Sequence, residues 1–217
     1  MTETPTAFPH PAFLPRTRRV RRLAQLYAGL ACFGVSMALM IRSNLGLNPW
    51  DTFHQGVAGR TGLSFGTVTI VVGAAVLVLW IPLRQRLGLG TVSNVVVIGL
   101  AVDATLAVLD APDPLPVRVA FLAGGIVLNG VATGSYIGAG TGAGPRDGLM
   151  TGLVARTGWS VRAVRTAIEV TVLATGWLLG GTVGVGTVAY ALAIGPLVHV
   201  LLPPLTVREP DGAGAGG

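Results

Sequence analysis

Long apolar stretches alternate along this chain with short connections rich in glycine, proline or charge. Four windows of 18 or more residues carry almost no charge, and about 20 apolar residues are what an α-helix needs to cross a bilayer. The pattern predicts an all-α membrane protein with six transmembrane helices. These are Leu23–Ile41, Phe65–Leu83, Leu89–Leu109, Val117–Ile137, Val161–Gly180 and Gly186–Leu205.

The overall composition excludes a soluble globular domain. Of the 217 residues, 51% are hydrophobic and 11% are charged, and the mean hydropathy is +0.69. A soluble domain has about 25% charged residues. We therefore expect the lipid bilayer to be the main partner of the chain.

All 15 basic side chains are arginine, and the net charge is +6. The arginines lie at the ends of the apolar stretches rather than along one soluble face, which indicates membrane orientation and not nucleic-acid binding. With a cytoplasmic N-terminus, six spans leave only three arginines outside, namely Arg42, Arg60 and Arg118. The positive-inside rule therefore predicts that both termini are cytoplasmic.

The sequence also contains an internal repeat. A shift of 96 residues aligns the two halves without a gap, and about 27 of 85 aligned pairs are identical. Pro49 and Asp51 fall on Pro145 and Asp147, a register that biased composition does not produce. Because each half holds three spans, the halves should be inverted relative to each other, as in many secondary transporters.

The repeat divides the chain into five parts. Residues 1–22 are predicted to be a flexible basic cytoplasmic tail, followed by membrane repeat 1 at 23–109, an external linker at 110–116, membrane repeat 2 at 117–206 and a cytoplasmic tail at 207–217. The first span lacks a small-residue cleavage site, so we interpret it as an uncleaved helix and not a signal peptide. The single cysteine, Cys32, excludes a disulfide framework.

A short helix is predicted between the first two spans of each half, at residues 49–60 and 145–156. Apolar residues recur there at helical spacing, with proline at the start and glycine after the end. Twelve residues make a helix of about 18 Å, which is shorter than the hydrocarbon core of about 30 Å. The pattern leaves open whether these half-length helices are re-entrant or lie at the membrane interface.

Each half-helix follows a glycine-rich stretch, and such paired, interrupted segments indicate the binding site in repeat transporters. If Asn48 and Gly144 are N-caps, Asp51 and Asp147 stand at the third helical position, where a carboxylate stabilises the helix start. The two aspartates are therefore caps, site residues or both. The predicted substrate-binding residues are Asn48, Pro49, Asp51, Gly144, Pro145, Asp147 and Glu169.

Glu169 is included because of its depth in the membrane. It follows Ser160 by nine residues, so it lies about 13 Å into its helix, near the midplane. A carboxylate at that depth is a functional candidate. The alternative is an ion pair with Arg165, one turn earlier.

We expect no enzymatic activity and no cofactor. The sequence has no metalloprotease, nucleophile-elbow or phosphate-loop motif and no lysine to complete the last of these. Its three histidines, His10, His54 and His199, lie on separate segments, so no metal site is predicted.

The segments 43–51 and 140–150 resemble the paired Pro-x-Asp motifs of the YczE/YitT family of bacterial integral membrane proteins. The resemblance covers nearly all of residues 20–206 and is closest to the YczE-like branch, since no soluble C-terminal domain follows. It implies a multi-pass protein of the bacterial plasma membrane. Some related proteins have been proposed as exporters of antibiotics or other small molecules.

These observations favour a secondary transporter or exporter of an unidentified small molecule, because no ATP-binding element is present. Two alternatives stay open. One is a membrane accessory protein that supports a partner enzyme and transports nothing, and the other is a substrate-binding membrane subunit that works with a separate ATPase. A homo-oligomer is compatible with each of them.

Overall fold

A computed structural model describes residues 18–207 of the chain. Within this part the secondary structure is entirely helical, as predicted. The eight helices are α1 (Arg19–Ser43), α2 (Pro49–Thr61), α3 (Phe65–Leu83), α4 (Leu89–Val108), α5 (Leu115–Gly138), α6 (Pro145–Thr157), α7 (Val161–Leu178) and α8 (Val185–Leu205).

Five of these helices, α1, α3, α4, α5 and α8, are long and apolar enough to cross a membrane. The remaining predicted span, α7, has 18 residues and carries the charged side chains of Arg162, Arg165 and Glu169. The chain is therefore a multi-pass helical protein with five clear spans, and the sixth span stays a prediction.

Two predicted boundaries need correction. The flexible tail was predicted to reach residue 22, but α1 begins at Arg19, and the rest of that tail lies outside the described residues. The external linker was predicted at 110–116, but α5 begins at Leu115 because Pro116 suits the first turn of a helix. Most of the predicted C-terminal tail also lies outside the described part of the chain.

Both half-helices form, each one residue longer than predicted. Proline occupies the first turn of each, and each ends at a glycine in the left-handed conformation, Gly62 at φ 72° and Gly158 at φ 70°. A serine then caps the start of the following long helix. The Ser64 hydroxyl accepts a hydrogen bond from the backbone N–H of Thr67, and the Ser160 hydroxyl accepts one from the backbone N–H of Ala163.

At the centre of the protein, α1 and α5 pack together in antiparallel orientation. Small residues allow the close approach, since a Cβ on Gly29 would lie 2.9 Å from the side chain of Ser135 and one on Gly125 would lie 2.8 Å from Met40. Helix α4 packs on α1, and α8 packs on α5. We call α1–α4 the first half and α5–α8 the second half.

The half-helices are held by long helices of the opposite half, α2 by α7 and α6 by α3. A Cβ on Gly56 would lie 2.6 Å from the carbonyl oxygen of Gly176, and one on Gly148 would collide with the indole of Trp80. Asp51, Thr52 and His54 of α2 are buried, so the first turns of this helix lie inside the protein, and its last turn is exposed.

The loop before each half-helix is bonded to the other half as well. The Gly90 amide donates to the carbonyl of Thr141 (2.9 Å), and the Gly186 amide donates to the carbonyl of Leu45 (2.8 Å). These loops contain glycines at φ 118° (Gly46) and φ 130° (Gly142), a conformation that other residues rarely adopt.

Arg22 joins the first helix to the ends of α5 and α8. It is buried, and its guanidinium donates to the carbonyls of Ala139 (2.8 Å) and Val207 (3.2 Å). Because buried carbonyls without partners cost about 1–3 kcal/mol, we expect Arg22→Met to lower the melting temperature in detergent. The neighbouring exposed residue gives the control, and Arg21→Met should leave the melting temperature within error. Equal melting temperatures for both variants would contradict this role of Arg22.

Candidate functional site

A cavity of about 370 Å³ lies at the centre of the protein, and all eight helices contribute to its lining. The first turns of α2 and α6 point into it from the two halves. Its walls are mainly aliphatic, whereas polar side chains gather beside the two helix starts. Those polar residues are Asn48, His54, Asn94, Tyr136, Arg146, Asp147 and Tyr190.

The structure places the predicted site residues together. Six of the seven line the cavity, and these are Asn48, Pro49, Gly144, Pro145, Asp147 and Glu169. The seventh, Asp51, is fully buried directly behind Asn48. Their role in binding a substrate stays a prediction.

Asp51 serves as a helix cap and also contacts the opposite half. The Asn48 side chain accepts a hydrogen bond from the Asp51 amide (2.9 Å) and donates one to its carboxylate (2.6 Å). The other carboxylate oxygen lies 3.5 Å from a guanidinium nitrogen of Arg146, which belongs to α6. An ion pair therefore links the starts of the two half-helices.

Arg146 is the functional candidate that the sequence prediction missed. Its side chain is 32% exposed, and its guanidinium lies over the indole of Trp50 at 4.9 Å from the ring centroid. The sequence shows an arginine between Pro145 and Asp147. It does not show that this arginine pairs with Asp51 of α2. Arg146 brings a positive charge and spare N–H donors to the polar end of the cavity.

Asp147 has a different environment from Asp51. Gly144, at the N-cap position, has no side chain with which to cap the helix. The Asp147 carboxylate instead accepts a long hydrogen bond, of 3.4 Å, from the hydroxyl of Tyr136 on α5. Asp147 also lines the cavity, so its carboxylate is available to a bound molecule.

Glu169 forms the predicted ion pair with Arg165, with 2.9 Å between the Nε and Oε1 atoms. The two side chains are 41% and 59% exposed, and both line the cavity. Pairing therefore does not exclude a role for Glu169 in binding.

A polar chain holds another wall of the cavity in place. The hydroxyl of Tyr190 donates to the side chain of Asn129 (3.0 Å), whose amide donates to the hydroxyl of Ser36 (2.8 Å). Asn129 is thus an interhelical link, as expected for a polar group in a span. Among residues 18–207, no three His, Cys, Asp or Glu side chains lie together as metal ligands would.

Apolar helices of spanning length around a central cavity define the protein as a multi-pass membrane protein. The chain belongs to the family described as a family of unknown function, DUF6198, which it matches over residues 20–203. This membership and the similarity to YczE described next confirm the expected family resemblance.

Three relatives are similar over most of their lengths. An uncharacterized protein of Haemophilus influenzae is 39% identical over 186 residues, covering 86% of this chain and 85% of the relative. The uncharacterized membrane protein YczE of Bacillus subtilis is 36% identical over 188 residues, covering 85% and 86%. The uncharacterized protein YyaS of Bacillus subtilis is 24% identical over 180 residues, covering 81% and 89%. No solved structure matches the chain.

Proposed function

We propose that the protein is a secondary transporter or exporter of a small molecule in the bacterial plasma membrane, and not an enzyme. The observation that carries this proposal is the central cavity, which is lined by both half-helix starts and by helices of both halves. A volume of about 370 Å³ lies within the range of about 300–1,000 Å³ that is typical of small-molecule sites. Buried polar groups at such a depth mark substrate pathways.

The proposed architecture is six spans and two half-helices in two inverted repeats. Contacts that recur at a spacing of 96 residues support it. The bond from Gly90 to Thr141 has its counterpart in the bond from Gly186 to Leu45, and the contact of α6 with α3 has its counterpart in that of α2 with α7. In alternating access, one repeat moves as a rigid body against the other around a central binding site. Two equivalent halves around one cavity are compatible with such a motion.

We further propose that the half-helices are re-entrant. An interfacial helix would expose one long face, whereas α2 is buried between α3 and α7 and begins at the cavity. The Gly-rich loops before α2 and α6 are hydrogen-bonded to the starts of α8 and α4, and irregular backbone at membrane depth requires such protein partners.

The inverted arrangement predicts opposite exposure for a repeat-matched pair of surface sites, Gly59 on α2 and Ala155 on α6. Both are exposed, and a Cβ on Gly59 would touch nothing within 4 Å. After Cys32 is replaced by alanine, an impermeant maleimide should label Gly59→Cys in intact cells and Ala155→Cys only in inside-out vesicles. Ala111→Cys, in the predicted external linker, gives the control for outside labelling. Labelling of both matched cysteines from the same side would contradict the inverted repeats.

Transport can be tested without knowing the substrate. Purified protein is reconstituted into liposomes loaded with a bacterial small-molecule extract, and the released compounds are identified by mass spectrometry with and without an imposed proton gradient. We expect at least one compound to leave these liposomes and not empty ones. Release of nothing in either condition would instead favour a membrane accessory protein. Release only on addition of a co-purified ATPase and ATP would favour the transport subunit of a two-component system.

A further inference from the structure

The two halves differ in how their third and fourth helices pack. In the first half α3 packs along α4, and a Cβ on Gly73 would lie 3.1 Å from the side chain of Val95. A Cβ on Gly99 would lie 2.7 Å from the carbonyl oxygen of Gly66. In the second half the equivalent of Gly99 is Gly195, and a Cβ there would meet nothing within 4 Å. Helices α7 and α8 are therefore separated where α3 and α4 are closed.

The sequence itself keeps this gap open. The glycines on the α3 contact face, Gly66 and Gly73, are replaced at the equivalent positions of α7 by Arg162 and Glu169. Where a single methyl group would already overlap a neighbour in the first half, a long charged side chain does not fit. Helix α7 therefore cannot close on α8 as α3 closes on α4.

The gap continues into the central cavity. Ile168 and Glu169 of α7 and Gly195 and Val198 of α8 line that cavity, and Gly195 is also exposed at the surface. On the outer face of α8, Leu192 is 72% exposed, as a lipid-facing side chain would be. The cavity therefore opens sideways between α7 and α8, past the Arg165–Glu169 ion pair, toward the outer face of α8.

We propose, building on the transport function above, that this gap is a lateral portal for an amphipathic substrate that partitions in the bilayer. Its apolar part lies between α7 and α8, against Ile168 and Val198. Its polar head reaches the start of α6, where the sequence neighbours Arg146 and Asp147 offer a positive and a negative side chain to the cavity. A zwitterionic head satisfies both side chains.

A photoreactive amphiphile tests the portal directly. The protein in phosphatidylcholine nanodiscs is irradiated with a lysophosphatidylcholine that carries a diazirine in its acyl chain close to the head, and the adducts are mapped by mass spectrometry. We expect adducts on cavity residues, above all Met150 and Asp147, in addition to adducts on the outer residue Leu192. Gly195→Phe, which fills the gap, should reduce the cavity adducts at least tenfold and leave those on Leu192 unchanged.

Gly124→Phe is the matched control, because Gly124 is also a helical glycine whose Cβ would meet nothing within 4 Å. It should leave both sets of adducts unchanged. If the wild type forms no cavity adducts, the portal hypothesis is wrong. It is also wrong if the cavity adducts persist in Gly195→Phe. A second copy of the chain that covers the gap would remove the Leu192 adducts as well, which also overturns it. The readout does not depend on transport, so a protein that takes up the probe but moves no solute would retain the portal and lose only the proposed function.

Discussion

Asp51→Asn and Asp147→Asn should each reduce compound release from proteoliposomes at least tenfold at wild-type protein abundance. The fully buried Asp51 carboxylate is the counter-charge of Arg146. The neutral asparagine side chain would therefore leave the positive charge of Arg146 uncompensated at the polar end of the cavity. Asp147 itself lines that end of the cavity, and replacing it by asparagine would remove the negative charge available to a substrate.

A control and a stability measurement separate this expectation from simple helix capping. Asp113→Asn removes an exposed acid from the connection before α5 and should leave release unchanged. A lost cap alone would cost about 1 kcal/mol, seen as a lower melting temperature with activity retained. If both half-helix variants behave in that way, the aspartates are caps and the assignment of the binding site is wrong. We also expect Asp51→Asn to lose more stability than Asp147→Asn, because Asp51 has the closer partners.

Gly66→Ala is expected to be among the most destabilising single substitutions in the protein. The added methyl group would overlap the carbonyl oxygen of Gly99 and lie 2.6 Å from a carboxylate oxygen of Asp103. That carboxylate accepts hydrogen bonds from the Gly66 amide (2.7 Å) and the Ser64 hydroxyl (2.5 Å), so it cannot move away without loss. Overpacking of this kind costs about 1–3 kcal/mol, and we expect a melting temperature several degrees lower in the same detergent.

Gly195→Ala is the matched control for this measurement, since Gly195 occupies the position equivalent to Gly99 in the second half. Its Cβ would meet nothing within 4 Å. Alanine inside a helix is about 0.5–1 kcal/mol more favourable than glycine, so the melting temperature should stay equal or rise. A Gly66→Ala protein as stable as Gly195→Ala would show that α3 and α4 do not need their close contact.

The helices were predictable because their signals are local. Proline in the first turn and glycine after the last set the bounds of α2 and α6 to within one residue, and the serines before α3 and α7 start those helices. The start of α1 was missed because the arginines before it were interpreted as a tail. In the structure Arg22 is buried, since carbonyls 117 and 185 residues away along the chain accept its N–H groups.

The candidate site was predictable in its residues but not in its connections. Six of the seven predicted residues line one cavity, five of them because the starts of α2 and α6 both lie at it. The ion pair between Asp51 and Arg146 joins different halves, and no local pattern reveals such a pair. The separation of α7 from α8 did leave a signal, because the shift of 96 residues aligns Gly73 with Glu169.

The packing of each half-helix against the opposite half has a consequence for biosynthesis. When α2 leaves the ribosome, the helix that will cover Thr52 and Gly56 has not been made, because Gly176 follows roughly 120 residues later. At a translation rate of about 5–20 residues per second, the polar groups of α2 that are buried in the final structure stay uncovered for roughly 6–24 s. We therefore expect α2 to reach its final packing only after α7 has been inserted, later than the neighbouring helices of the first half.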